Sequence, residues 1–252
     1  MTSQGPLLVF DFDGVLVDGM EEYWWAARRT ALRLLPSLEL PETVPPPFLQ
    51  LRPSIHKGWE MVVLAAELAA GENDLVSRFQ PYEPGLARAL SARGWQPEQL
   101  QHALESVRSE AIAADRAGWL ARHRFFPGVI ERLRRLAGEG AEWAVLTTKG
   151  RAFADALLNG AGLIPRALYG HEQGRKPDVL LQLARDEPRR PLLFLEDRRP
   201  TLEAVLATPG LESVRCLLVA WGYLAPGDDE ALPAGIRLLP AETFQAPLAQ
   251  WP

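Results

Sequence analysis

Cysteine is nearly missing from this chain. Cys216 stands alone among 252 residues, so no intrachain disulfide can form, and its place in the apolar run CLLVA reads as a buried structural thiol. Excess positive charge is missing too. With 27 basic against 32 acidic residues and a net charge of −5, a nucleic-acid footprint built on bulk positive potential is excluded, and no partner is implied by charge. Long apolar runs are lacking as well. The opening segment MTSQGPLLVFDFD has no basic stretch and meets acids after five apolar residues, so neither a signal peptide nor a membrane span is expected, and the cytoplasm is the expected compartment. There is no low-complexity tract, and 47% hydrophobic with 23% charged residues describes an ordinary folded soluble chain. Its length suits one large core or a core with an insertion. Lysine is the last scarcity: only Lys57, Lys149 and Lys176 occur among the 27 basic residues. Because lysine offers a compact, tunable ammonium that arginine cannot copy, these three draw attention.

What is present is a set of short apolar runs that end in polar or turn residues. LLVF precedes Asp11, WAVL precedes Thr147, LLFLE precedes Asp197 and CLLVA precedes Trp221. Between them, Val129 to Gly140 and Asp178 to Glu187 have helical spacing. This alternation predicts a parallel sheet of α/β class, with a last short strand at Ile236 to Leu239. The stretch from about Gly19 to Arg124 differs. It contains EEYWWAARRTALRLL, a proline-rich break from Pro41 to Pro47, KGWEMVVLAAELAAG and further helical segments, with no strand pattern between them. We read it as an all-helical insertion after the first strand, with the proline-rich break as a loop. The expected domains are therefore a core of residues 1–18 plus 125–252 and a helical cap of residues 19–124.

The most informative stretch is Leu7 to Asp18. A buried parallel strand that ends in Asp11 and Asp13 puts two carboxylates at the sheet edge where open α/β folds bind ligands. Two acids so placed can divide covalent catalysis, one attacking and one moving protons, with a divalent cation screening their repulsion. Gly14 behind them removes side-chain bulk at a tight turn.

With these residues in view, the chain resembles the haloacid dehalogenase-like (HAD) superfamily, in particular its phosphatase-type members with a helical cap, similar to phosphoglycolate phosphatase and β-phosphoglucomutase. The resemblance rests on Asp11-Phe12-Asp13-Gly14-Val15, Val145-Leu146-Thr147-Thr148-Lys149, Lys176-Pro177 and Leu195-Glu196-Asp197 in the family's order, with FFPGVIERLRRL and VAWGYL in support. It implies a Rossmann-like, doubly wound core and a hydrolase that uses Mg²⁺. In that family pattern Asp11 is the nucleophile and Asp13 the general acid and base, its backbone carbonyl facing the metal. Thr147 donates its hydroxyl to a phosphoryl oxygen, Lys176 neutralises phosphoryl charge, and Asp197 is the metal carboxylate. Lys149 is expected to hold position near the site, and Thr148 is a candidate substrate contact.

The chain departs from the common pattern at the acidic motif. Glu196 and Thr201 stand where many relatives have glycine and a second aspartate; Glu196 is then expected to serve as a further metal acid, directly or through water. In the insertion, Arg52, His56 and Lys57 precede a helix, where side-chain cations and backbone donors could hold an anionic substrate group. Tyr23 and Trp24 suit packing, and Trp59 is a further candidate contact. The resulting expectation is a Mg²⁺-dependent phosphomonoesterase for a small phosphorylated metabolite. A phosphomutase, a phosphonoacetaldehyde-type hydrolase using Lys57, and a HAD-like binding protein without turnover are the alternatives; neither nucleic acid nor membrane is an expected partner.

Overall fold

The computed structural model describes residues 5–69 and 74–252. Its chain falls into two compact units, Met1–Asp18 with Arg124–Pro252, and Gly19–His123.

In the first unit, β1 (Leu7–Phe10) is buried along its whole length, as expected of a strand covered on both faces. It leads to the short β2 (Val17–Asp18). The second unit then supplies α1 (Met20–Leu34), α2 (Pro46–Leu51), α3 (Gly58–Leu68), α4 (Leu75–Arg78), α5 (Tyr82–Arg93) and α6 (Pro97–Leu120). The chain returns through β3 (Arg124–Phe125), α7 (Val129–Leu136), β4 (Glu142–Leu146), α8 (Arg151–Gly160), β5 (Ala167–Tyr169), α9 (Lys176–Asp186), β6 (Leu192–Glu196), α10 (Arg199–Leu206), β7 (Arg215–Val219), β8 (Ile236–Leu239) and α11 (Ala241–Gln245).

The sheet has the order β5-β4-β1-β6-β7-β8, and each pairing in it is parallel. From β1 the strands build outward through β4 and β5, then return to its other side for β6, β7 and β8. Such a reversal makes a crevice at the strands' carboxyl ends. Here it sets the ends of β4, β1 and β6 side by side. Leu7 and Val9 join a core made with Val179, Leu180, Leu202 and Val205 of α9 and α10, whereas Phe10 packs edge-on against Trp143 and Phe244. This alternation follows from the two-residue repeat of a strand. The two crossings between units meet as an antiparallel pair, Val17 with Phe125 and Asp18 with Arg124.

Among the described residues, Gly19–His123 forms helices and short helical turns without a strand. Tyr23 and Trp24 are buried, Trp24 packing on Phe48 and donating its indole N–H to the Pro41 carbonyl. The proline-rich loop is shorter than its composition suggests, because Pro46 and Pro47 open α2. Proline fits a first helical turn, where its missing N–H has no intrahelical partner to lose. Ala70 and Gly71, which end the apolar segment read as a helix, lie outside the described residues. α6 is interrupted at Asp115 (φ −152°, ψ 83°), whose carboxylate accepts the Gly118 N–H and so caps the helix as it restarts.

Candidate active site

The turn after β1 builds the first part of the site. Asp11 extends the ladder by donating its N–H to Leu195 O at 2.8 Å. The Phe12 carbonyl then accepts the amides of Leu16 and Val17, while Gly14 N–H donates to Val17 O. Gly14 adopts φ +93°, a left-handed conformation that glycine reaches without steric penalty. The Trp221 indole N–H donates to Val15 O at 3.0 Å and ties down the far side of the turn.

Residues from three further strand or helix ends converge on Asp11. Thr147 follows β4, donates its amide to Tyr169 O and accepts the Lys149 N–H on its hydroxyl oxygen at 3.0 Å. That contact orients the hydroxyl with its own hydrogen available to a ligand. Lys176 opens α9 and is buried. Its ammonium lies 2.8 Å from Asp11 Oδ1 and 2.7 Å from Glu196 Oε2. The approach to Asp11 is an ion contact; Asp11 Oδ1 is buried without an aligned hydrogen bond. Glu196 Oε1 accepts the amides of Asp197 and Arg198, and Asp197 Oδ2 accepts the Tyr223 N–H at 2.8 Å.

Electrostatics follow from burial. Desolvation, followed by the charge of Glu196, pushes the Asp11 carboxyl up to about 7 against the pull of Lys176. Glu196 is likewise raised, by burial first, with Lys176 opposing and Asp197 adding to the shift. Burial disfavours the Lys176 ammonium, yet Asp11 and Glu196 outweigh it and hold Lys176 above the usual lysine value.

Oxygens of Asp11, Glu196 and Asp197 lie within 4.8 Å of one another. This donor set fits a hard divalent cation, because all its donors are carboxylate oxygens. Charge fits too: Asp11, Asp13, Glu196 and Asp197 with Lys149 and Lys176 carry a formal charge of −2 when all are ionised. The Glu196 oxygens are already engaged by Lys176 and two amides, which suits it to hold a cation through water rather than directly. Thr201, buried on α10, brings no carboxylate.

Asp11, Thr147, Lys176, Glu196 and Asp197 are thus gathered at one edge of the sheet, and Asp13 is held there by Lys149. Arg52, His56 and Lys57 belong to the helical unit. Within that segment the His56 and Lys57 amides both donate to the Glu60 carboxylate, at 2.9 and 3.0 Å, as in half of a capping box. Arg52 lies over the Tyr23 ring at 5.2 Å, and Trp59 is buried. Thr148 sits in the turn between Thr147 and Lys149. Sequence reasoning missed the support from Gly222 and Tyr223, although the VAWGYL stretch containing them is conspicuous.

A doubly wound parallel sheet with a carboxylate cluster and a buried lysine at its carboxyl edge defines the class, an α/β hydrolytic enzyme. Residues 6–199 match the haloacid dehalogenase-like hydrolase family, and the chain belongs to that family. The fold is similar to a predicted phosphatase from Clostridium acetobutylicum, with TM-score 0.63 and 15% identity over 96% of this chain and 97% of that one. It is also similar to a predicted phosphoglycolate phosphatase from Haemophilus somnus, with TM-score 0.59 and 17% identity over 97% of each chain. A haloacid dehalogenase-like hydrolase from Streptococcus pneumoniae gives TM-score 0.58 and 18% identity over 94% and 95% of the two chains. No curated protein matches the sequence.

Proposed function

We propose that this protein is a Mg²⁺-dependent phosphomonoesterase that hydrolyses a small phosphorylated metabolite through an aspartyl-phosphate on Asp11. The observation that carries the reading is the convergence of a strand-end carboxylate, Asp11, with a buried ammonium 2.8 Å away and a threonine hydroxyl from the neighbouring strand end. A nucleophile, a phosphoryl-charge acceptor and a phosphoryl-oxygen donor are the parts that displacement at phosphorus requires.

In this reading an oxygen of Asp11 attacks phosphorus as the bond to the leaving oxygen breaks, and Asp13 gives that oxygen a proton, releasing an alcohol. Asp13 then takes a proton from water as it attacks phosphorus, the bond to Asp11 breaks, and inorganic phosphate leaves. Lys176 and the Thr147 hydroxyl hold the non-bridging oxygens throughout. Asp11, the Asp13 carbonyl and Asp197, with Glu196 acting through water, would hold a divalent cation, which would supply charge neutralisation for attack of one anion on another.

We assign residues 19–124 as a cap that selects the substrate, with Arg52, His56, Lys57 and Thr148 as candidate contacts through their side chains. Support comes from its insertion directly after the Asp11–Asp13 turn. Phosphoglycolate-like and sugar phosphates are the proposed substrate class. The lone buried thiol, Cys216, suits a reducing compartment, and the cytoplasm is the proposed location; no helix among the described residues is long and apolar enough to cross a membrane.

A panel of phosphorylated metabolites with Mg²⁺, run on wild type and Asp11→Asn, tests the reading. Turnover in wild type alone is expected. Equal turnover in both overturns the role of Asp11, and none in either points to a binding protein without turnover.

A further inference from the structure

We propose that Lys149 is a positioning residue that aims the Asp13 carboxylate for proton transfer at the leaving oxygen. The inference rests on the reading of Asp13 as general acid and base. Lys149 Nζ lies 3.1 Å from Asp13 Oδ1 and 3.3 Å from Oδ2, so a single ammonium spans both oxygens and fixes where the carboxylate sits and the direction in which its axis points. The lysine side chain is 1% exposed and the Asp13 side chain 17%. A buried ammonium is costly unless paired, and here the pairing sets the side chain's place. Asp13 keeps some solvent access, as a group that exchanges protons with a leaving alcohol and then with water requires.

The same residue holds a second part of the site. Its backbone N–H donates to Thr147 Oγ1, and its carbonyl accepts the His171 amide. Lys149 therefore links the hydroxyl expected to hold the phosphoryl group with the carboxylate expected to serve the leaving oxygen, through one short turn. A shift of either relative to the other spoils proton transfer even when phosphate binding survives. Arginine is the common cation in this chain, yet its planar fork is a poor substitute for a compact ammonium at this spot.

Leaving-group dependence separates aiming of the acid from general damage. An alkyl phosphate needs a proton on its departing oxygen, whereas p-nitrophenyl phosphate releases a stable anion. For Lys149→Met with Mg²⁺, kcat/KM on an alkyl phosphate that wild type hydrolyses is expected to fall at least about tenfold more than on p-nitrophenyl phosphate. Lys149→Gln, one atom shorter but with a neutral N–H donor at its tip, is expected to show the same bias in smaller measure and serves if Lys149→Met does not fold. Equal losses on both substrates in a variant that melts like wild type overturn the proposal. Asp13→Asn is the control. If it shows no leaving-group bias, the acid role of Asp13 fails; if it does and the Lys149 variants do not, only the role of Lys149 fails.

Discussion

Gly14 lies so close to Asp197 that a Cβ placed on it would stand 1.9 Å from Oδ2 of that carboxylate. The turn after β1 and the acidic end of β6 are therefore packed in direct contact, and glycine is what permits it. Gly14→Ala is expected to abolish hydrolysis by displacing Asp197, and to cost about 1–3 kcal/mol for an alanine held at positive φ. Activity with Mg²⁺ and urea denaturation check the two parts separately. Gly222→Ala, whose Cβ would come 2.2 Å from Asp197 Cβ, is expected to lose activity in the same way.

A cation at the carboxylate cluster should be visible without catalysis. Saturating Mg²⁺ is expected to raise the melting temperature, since a ligand at about a hundredfold over its Kd stabilises the folded state by about 2.7 kcal/mol. Asp197→Asn should lose most of that rise, and EDTA should stop turnover until Mg²⁺ is restored. Turnover that persists in EDTA would show the cluster to be no metal site.

In the helical unit, Arg108 grips the buried Glu22 with two hydrogen bonds of 2.8 and 2.7 Å, and the Trp119 indole N–H adds a third contact at 3.2 Å. Arg108→Met takes the paired guanidinium away from the buried Glu22 carboxylate. The expected loss is about 3–5 kcal/mol, the usual result of removing one partner from a buried pair. Arg108→Met with Glu22→Leu should recover much of it, and chemical denaturation measures both.

Glu60 gives a pH signature of opposite sign to that of a salt-bridged acid. Burial raises its carboxyl above the ordinary 4.5, although the amides of His56 and Lys57 and the Tyr82 hydroxyl pull the other way. The folded state thus binds this proton more tightly than the unfolded state, so the contribution is complete below 4.5 and declines as pH rises through the shifted value. The stability advantage of wild type over Glu60→Gln should be largest in acid and shrink toward neutrality. Paired thermal melts between pH 4 and pH 7 measure it, and an advantage that grows with pH would refute the shift.

Much of the core was legible because buried parallel strands leave dense apolar runs. β1, β4, β6 and β7 each fall on such a run, and β8 falls on the short segment IRLL, which Arg237 interrupts. β5 escaped because Ala167–Tyr169 is only three residues long, too short for a periodic signal. α9 opens on Lys176-Pro177-Asp178, ahead of the helically spaced run from Asp178, since proline is at home in a first turn. The break at Asp115 was hidden because its apolar spacing continues across it.

Sequence by itself determined which residues stand at strand ends: Asp11, Thr147 and Asp197 each close an apolar run, and a strand's geometry puts such residues at the sheet edge. Tertiary structure alone decided what those residues touch. That Lys176 bridges Asp11 and Glu196, that Lys149 takes Asp13, and that Tyr223 supports Asp197 depend on strand order and on distances between segments far apart in the chain. The physical reason is range. Periodicity reports burial one element at a time, whereas ion pairs and backbone donors act over about 3 Å between elements that only the folded sheet brings together.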